Sequence, residues 1–270
     1  MPLSKAWFSY TNLVRAATTT VSADSAVTTQ PITNIPDRLD YRIYRSEDEN
    51  VVISIDFGSA VTWQAWSLVF PAHRDPVGTC PDEIATTDTY QIQFSNVAAG
   101  NNELLDVTNN FDVIRQRGYQ TYIADTALTG QYMTITITAT SRATLNYIDL
   151  AYLHVGPIFS PGCNFNVGST ISFPEESLKN VSPIGGATFV ESRARLLTFD
   201  GVWSMIEGTE LDTWLEMQEQ TGITQPILFG TDDNTPLSRT AFVATFDGEI
   251  AFAIGQNKRH SARVALKENR

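Results

Sequence analysis

Residues that carry chemistry are scarce in this chain. Three histidines and two cysteines are spread over 270 residues. His73, His154 and His260 lie far apart, and none belongs to an H-E-x-x-H motif, so no single segment encodes a histidine metal site. Cys80 and Cys163 each sit in a Pro/Gly loop without metal-ligand spacing. They read as free thiols, with a domain-linking disulfide as the alternative. No G-x-S-x-G elbow, P-loop or G-x-G-x-x-G is present; Gly185-Gly186-Ala187-Thr188 lacks the lysine and the first spaced glycine. Nucleotide chemistry therefore has no support. Basic residues are also few: 18 Lys plus Arg against 30 Asp plus Glu give a net charge of −12. Such a surface repels phosphate backbones and argues against nucleic-acid binding, and it equally suits plain solubility. No run approaches the ~20 apolar residues of a membrane span. Met1-Pro2-Leu3-Ser4-Lys5-Ala6-Trp7-Phe8 has no leader-like apolar core. The expectation is a product made and kept in the cytoplasm until a non-secretory event releases it.

What is abundant is strand pattern. Apolar residues make up 42% of the chain and charged ones 18%, enough for a core and too little charge for disorder. In Val51-Val52-Ile53-Ser54-Ile55-Asp56-Phe57, the apolar Ile53, Ile55 and Phe57 alternate with Ser54 and Asp56, as a half-buried strand requires. Gly58-Ser59 breaks that strand, and Val61-Thr62-Trp63 starts another. Tyr90, Ile92 and Phe94 alternate with Gln91 and Gln93; Met133, Ile135, Ile137 and Ala139 alternate with threonines. Residues 71–89 and 95–110 read as two long loops, and the Ser/Thr-rich run 18–29 as an irregular one. Trp63 and Trp66, three apart on a strand, are expected on opposite faces. One would then be core and the other free to stack on a sugar, with core or interface packing as the alternative.

Gly156-Pro157-Ile158-Phe159-Ser160-Pro161-Gly162 is the strongest boundary. It divides the chain into 1–156 and 157–270. The second part reads as a small α+β domain with one helix on an antiparallel sheet. Thr188-Phe189-Val190 and Arg195-Leu196-Leu197-Thr198-Phe199 look extended. Thr209-Glu210-Leu211-Asp212 is close to a capping box, Leu211, Trp214, Leu215 and Gln218 form one helical face, and Thr221-Gly222 supplies the stop. Pro226-Ile227-Leu228-Phe229 is a strand and Asp232-Asp233-Asn234 a turn. Residues 241–254 read as a hairpin about Asp247-Gly248, followed by a strand through Ala262, Val264 and Leu266.

The strand, Asp-aliphatic-Gly, turn, strand pattern at 51–63 resembles the discoidin-like (F5/8 type C, galactose-binding-like) β-sandwich. Thr11-Asn12-Leu13, Pro31-Ile32-Thr33-Asn34-Ile35 with Asp37-Arg38, and Tyr41-Arg42-Ile43-Tyr44-Arg45 are similar to that family's opening. Gly130-Gln131-Tyr132-Met133-Thr134-Ile135-Thr136-Ile137 and Ile148 to Gly156 are similar to its last strands. The resemblance implies a mostly β chain, an N-terminal discoidin-like sandwich followed by the α+β domain. It also implies ligand contacts in loops at one end of the sandwich. That nominates His73, Arg74, Asp75, Asp82 and Glu83 in the 71–89 loop, where Arg74 and Asp75 either meet sugar hydroxyls or pair with each other. Asp37, Asp40, Glu47 and Asp48 carry hard oxygens but fit no calcium-loop spacing, so no metal or cofactor is expected.

The pairing of the two parts, with Asp149 to Pro157 running straight into the second, Gly185 to Arg193, and the Trp214 helix followed by Thr221-Gly222-Ile223-Thr224-Gln225-Pro226-Ile227-Leu228-Phe229, resembles bacteriophage tail-tip and baseplate proteins. That resemblance implies a virion structural component without catalytic residues. Its expected partners are other tail proteins and further copies in a ring around the tail axis, with a role in host attachment. The alternative reading is a carbohydrate-binding module for host glycans. Lys258, Arg259, His260 and Arg263 oppose the acidic bulk and either dock an acidic neighbour or protect a solvated edge strand. The carboxylate pairs Asp82-Glu83, Glu175-Glu176 and Asp232-Asp233 are adjacent on one segment and diverge, unlike the ~5–10 Å facing pair of a glycosidase. No enzyme activity is expected.

Overall fold

The computed structural model describes residues 5–37, 42–71, 87–98, 103–111, 118–139, 147–174, 178–181, 188–191, 196–232, 237–254 and 259–269. The strands in the first half are β1 (Trp7–Ser9), β2 (Thr20–Ala23), β3 (Tyr44–Arg45), β4 (Val51–Val69), β5 (Thr89–Ser95), β6 (Glu103–Asn110) and β7 (Tyr119–Thr138). Next come β8 (Asp149–Leu150), β9 (Tyr152–Gly156), β10 (Thr170–Ser172), β11 (Leu178–Val181), β12 (Thr188–Glu191) and β13 (Thr198–Glu207). Helix α1 (Gly208–Thr221), β14 (Ile227–Gly230), the single turn α2 (Leu237–Thr240), β15 (Ala241–Phe246), β16 (Ala251–Ile254) and β17 (Arg259–Glu268) complete the set. The chain is mostly β, and the strand pairs whose register is described are antiparallel.

Two compact units emerge: Met1–Ala72, Pro81–Pro161 and Pro226–Val243 form the first, and His73–Cys80, Gly162–Gln225 and Ala244–Arg270 the second. In the first unit, β4 and β7 run side by side for almost their whole lengths. Val51 to Asp56 pair with Ile137 to Tyr132, flanked by β2 on one side and by β5 and β6 on the other. Ala65 to Val69 pair with Ile123 to Tyr119, flanked by β9. These two stretches are two layers rather than one. Trp66 lies opposite Tyr122, and Tyr90 lies opposite Ile137. An extended strand would hold those two positions ~50 Å apart, at about 3.3 Å per residue. Instead the Trp66 and Tyr90 rings meet edge to face at 5.3 Å, and Trp63 meets Phe94 the same way at 5.4 Å. The long strands therefore fold over, and the aromatic residues of one layer pack on those of the other.

The corner lies where the sequence pattern placed a break. Between the pairs Asp56–Tyr132 and Val61–Gly130, β4 carries four residues where β7 carries one. Gly58 adopts φ 75° there, and a Cβ on it would lie 2.7 Å from the Thr18 carbonyl oxygen. The strand thus turns without ending. A second mismatch follows between Trp63 and Ala65, where β7 holds the extra residues. It resets the alternation, so Trp63 and Trp66 both point inward and both are fully buried. The expectation that one would be exposed fails for this reason. Tyr44 from β3, Leu150 from β8, and Val14, Ile32 and Ile35 from two 3-10 turns fill the same core. β1 pairs with β14, so Phe8 packs on Phe229 at 5.0 Å and the Trp7 indole N–H donates to the Asp232 carbonyl at 3.0 Å.

Two stretches read as loops are strands. β2 lies inside the 18–29 run, and β6 inside 95–110. Both are polar edge strands with little burial, so neither shows an apolar alternation.

The second unit is built on β13 and β17, with β10 on the outer side of β13. The residues around Asp247–Gly248 are not a hairpin turn. The end of β15 and all of β16 pair in succession along the same β17, and Asp247 keeps the ladder by donating its N–H to the Ala265 carbonyl at 2.9 Å. Residues 247–250 are an excursion from one interrupted strand. Helix α1 starts at Gly208, without a side-chain cap from Glu207, and ends at Gly222 with φ 53°. Its buried face is Trp214, Met217 and Thr221 rather than the Leu211–Leu215 face, and Leu215 is exposed. The helix is turned so that Trp214 can stack on Trp203 at 5.4 Å, beside Phe165 and Phe199.

Candidate functional site

Folding over brings four strand ends to one edge of the first unit: the end of β4, the start of β5, the end of β6 and the start of β7. The described ends of the connections 70–88 and 111–118 therefore lie together there. Their roots are fixed by backbone hydrogen bonds. Phe70 N–H donates to the Gly118 carbonyl at 2.7 Å, Phe111 N–H to the Asp88 carbonyl at 3.0 Å, and Ala151 N–H to the Val69 carbonyl at 2.8 Å. Gly118 adopts φ 66°, and a Cβ there would sit 2.9 Å from the Phe70 carbonyl oxygen, so the close approach needs glycine. Below the roots, Phe111 packs edge-on against Phe70 at 5.8 Å and against Tyr90 at 5.1 Å. Gln120 is buried and donates to the Tyr90 hydroxyl at 3.4 Å. The result is an aromatic floor at this end of the first unit, a frame that can hold recognition groups in place.

The nominated residues His73, Arg74, Asp75, Asp82 and Glu83 belong to the connection between Phe70 and Asp88 and lie outside the described residues, as does Cys80. Cys163 is an exposed free thiol. Of the nominated oxygen donors, Asp37 faces the Arg15 guanidinium at 3.3 Å and Asp40 is outside the described residues. Among the described residues no three His, Cys, Asp or Glu side chains gather as a metal site. Of the basic residues near the C-terminus, Lys258 is outside the described residues, Arg259 is exposed opposite Glu207, and His260 is half-buried. Arg263 grips Asp200 with both ends of its guanidinium, at 3.1 and 2.6 Å. That pairing holds the Asp200 carboxyl below its ordinary pKa and raises Arg263.

Two polar pairs, one partly and one fully buried, escaped the sequence reading. Arg45 makes a bidentate pair with Asp149, both contacts 2.7 Å, and lies 4.0 Å from the Tyr147 ring centroid. His154 is fully buried with Nε2 2.8 Å from Ser9 Oγ. Burial alone drives its pKa down to about 3. A serine beside a histidine is a nucleophile's arrangement, but both side chains are sealed in the core and no substrate can reach them. No sequence signal flagged either pair, because the partners are more than a hundred residues apart.

No protein-family model matches the chain, and no curated protein matches it. Solved structures do. The chitosan-binding module 1 of a Paenibacillus sp. IK-5 chitosanase/glucanase aligns at 22% identity and TM-score 0.40, over 54% of this chain and 97% of that one. The family 32 carbohydrate-binding module of C. perfringens NanJ, solved with galactose, aligns at 15% identity and TM-score 0.39, over 53% and 95%. The lectin domain of lectinolysin, solved with Lewis b antigen, aligns at 13% identity and TM-score 0.41, over 54% and 96%. The chain also aligns with a GH29 fucosidase of Ruminococcus gnavus, but spans only 26% of that enzyme. Three of these structures are named for carbohydrate binding, and nothing in the comparisons supports the phage context.

Proposed function

We propose that the chain carries a glycan-binding module built on the β4–β7 sandwich and that it works by attachment rather than catalysis. The observation that carries this is the shared end of the sandwich, where 70–88 and 111–118 are rooted on Phe70, Asp88, Phe111 and Gly118 by backbone hydrogen bonds. A scaffold with fixed strand ends suits a hydroxyl-rich ligand, whose recognition needs fixed donors and acceptors rather than an activated nucleophile. The groups proposed to meet the sugar are Arg74 and Asp75, with His73, Asp82 and Glu83 on the same connection. A glycan array followed by calorimetry with galactose, Lewis b and chitosan oligosaccharides tests the proposal. Binding is expected in the micromolar-to-millimolar range, with Arg74→Ala and Asp75→Ala each weakening it about tenfold at unchanged melting temperature, the loss of about 1.4 kcal/mol. No sugar bound at millimolar concentration would end it.

A second reading, a tail-tip or baseplate component of a virion, is favoured by one feature of the second unit: β10 is an exposed edge strand free of charge. Edges of that kind serve assembly. Mass spectrometry of purified particles decides it, since a tail component must be recovered with the particle.

A further inference from the structure

The second unit holds two Asp-Gly sequences, Asp200-Gly201 and Asp247-Gly248, and treats them in opposite ways. An Asp-Gly bond is prone to rearrangement, because glycine has no side chain to keep its nitrogen away from the aspartate carboxyl carbon. Asp200-Gly201 is locked. Both residues lie in β13, with Asp200 opposite Thr170 of β10 and Ala265 of β17, and Gly201 opposite Val264. Arg263 holds both carboxyl oxygens of Asp200 and keeps the group ionised by lowering its pKa. Gly201 is buried against Phe199, whose ring lies 2.4 Å from where a Cβ would stand.

Asp247-Gly248 is open. Both residues are exposed, in the excursion between β15 and β16. The Asp247 N–H is anchored on the Ala265 carbonyl at 2.9 Å. Among the described residues nothing holds the Asp247 carboxylate or the Gly248 N–H by a hydrogen bond or ion pair. Gly248 adopts φ 110°, and nothing lies within 4 Å of a would-be Cβ, so there is room for a ring to close.

We infer that Asp247-Gly248 rearranges spontaneously to isoaspartate through a cyclic imide in the folded protein, and that Asp200-Gly201 does not. The Gly248 nitrogen attacks Cγ of Asp247. A C–N bond forms, and the carboxyl hydroxyl leaves as water with the amide proton. Water then opens the imide. Addition at Cγ restores aspartate. Addition at the main-chain carbonyl breaks the original peptide bond and leaves the chain running through Cγ. No oxidant or cofactor is consumed, and the final mass is unchanged. The main chain is then one methylene longer between β15 and β16. Buried Ile250 and Ala251, which pairs with Arg263, must absorb that length, so β16 is expected to loosen on β17. None of this depends on glycan binding.

Peptide mapping of the full chain, aged in neutral buffer at body temperature, tests this. Trypsin cleavage after Arg195, Arg239 and Lys258 puts the two sites on different peptides, and Asp247 is the sole aspartate of 240–258. Isoaspartate, identified by chromatographic separation of the isomers and fragmentation, is expected to accumulate at Asp247 while Asp200 stays intact. In urea both sites should form it at similar rates, which shows that the fold protects Asp200. Asp247→Ser, at an exposed position, should abolish the isomer in 240–258. In the isomerised fraction, the amides of 251–254 should exchange hydrogen faster than in the fresh chain. No isoaspartate at Asp247 over a period in which the unfolded chain forms it would overturn the inference. So would equal accumulation at both sites in the folded chain. Unchanged exchange at 251–254 would overturn the loosening of β16.

Discussion

Asn12 does more for the first unit than its single amide suggests. Its Oδ1 accepts from Val14 N–H at 3.1 Å and Val155 N–H at 3.2 Å, and its Nδ2 donates to the Leu153 carbonyl at 2.9 Å and the Tyr152 hydroxyl at 3.0 Å. One side chain thus caps a 3-10 turn and ties it to β9, a role only a group with both donors and acceptors can fill. Asn12→Ala strands buried backbone groups at both ends. It is expected to cost about 3 kcal/mol, read as a lowered urea midpoint, with Asn12→Asp between it and the native chain because the acceptor half survives. Nearby, His154 sets a pH dependence. Its folded pKa of about 3 lies below the ordinary 6.5, so the folded state binds fewer protons than the unfolded one. Stability from this residue is therefore intact above pH 6.5 and falls as pH drops towards 3. Between pH 7 and pH 5 the loss is about 2 kcal/mol at about 1.4 kcal/mol per pH unit. His154→Gln removes the titrating ring, so its urea midpoint should change less over the same interval. An equal slope in both proteins would show that other groups set the acid response.

Among elements, the corner in β4 decides the architecture. Gly58 stands at φ 75° against the Thr18 carbonyl, whereas Gly222, at φ 53°, has nothing near a would-be Cβ. Alanine at Gly222 meets only the backbone penalty, about 1 kcal/mol, while alanine at Gly58 adds a clash with main chain and is expected to cost about 3 kcal/mol. Equilibrium unfolding of the two variants compares them directly, and equal costs would mean that the corner relaxes freely. The same corner marks what sequence can reveal. The alternation of Ile53, Ile55 and Phe57, and of Met133, Ile135 and Ile137, announces strands because one face is apolar and the other wet. Gly58 announces the interruption. What no local pattern carries is the count of residues on the opposing strand. The four-against-one mismatch at Asp56–Val61 and the mismatch after Trp63 determine which side each tryptophan faces, and they exist only in the pairing. Polar edge strands β2 and β6 hide for the opposite reason, since with little buried surface they leave no apolar signature. The excursion at Asp247–Gly248 mimics a hairpin because turn chemistry is local, while the choice of partner strand is not. The candidate site was nominated from sequence only as a position, the connection between β4 and β5, because loop residues carry no periodicity to place their side chains, and those residues lie outside the described ones.

For the whole molecule, the composition of the first unit carries a consequence that the linear order conceals. Residues 226–243 belong to it although more than sixty residues separate them from Pro161. β14 supplies the partner of β1, the Phe229 ring beneath Phe8, and Asp232, whose carbonyl takes the Trp7 indole N–H. Gly230 is the contact point, since a Cβ on it would lie 2.3 Å from the Trp7 ring. Fully burying two aromatic side chains is worth roughly 1.5–3 kcal/mol each, a large share of the 5–15 kcal/mol that holds a domain together. A fragment ending at residue 161 keeps both layers of the sandwich but exposes Trp7 and Phe8. It is expected to melt lower than the full chain, to show red-shifted tryptophan fluorescence, and to be cleaved by protease near residues 5–11. A fragment in which residues 226–243 follow residue 161 through a flexible linker should recover the protection. If the short fragment melts like the full chain with its first strand protected, β1 is held by the sandwich alone, and the sandwich is an independent module that β14 merely touches.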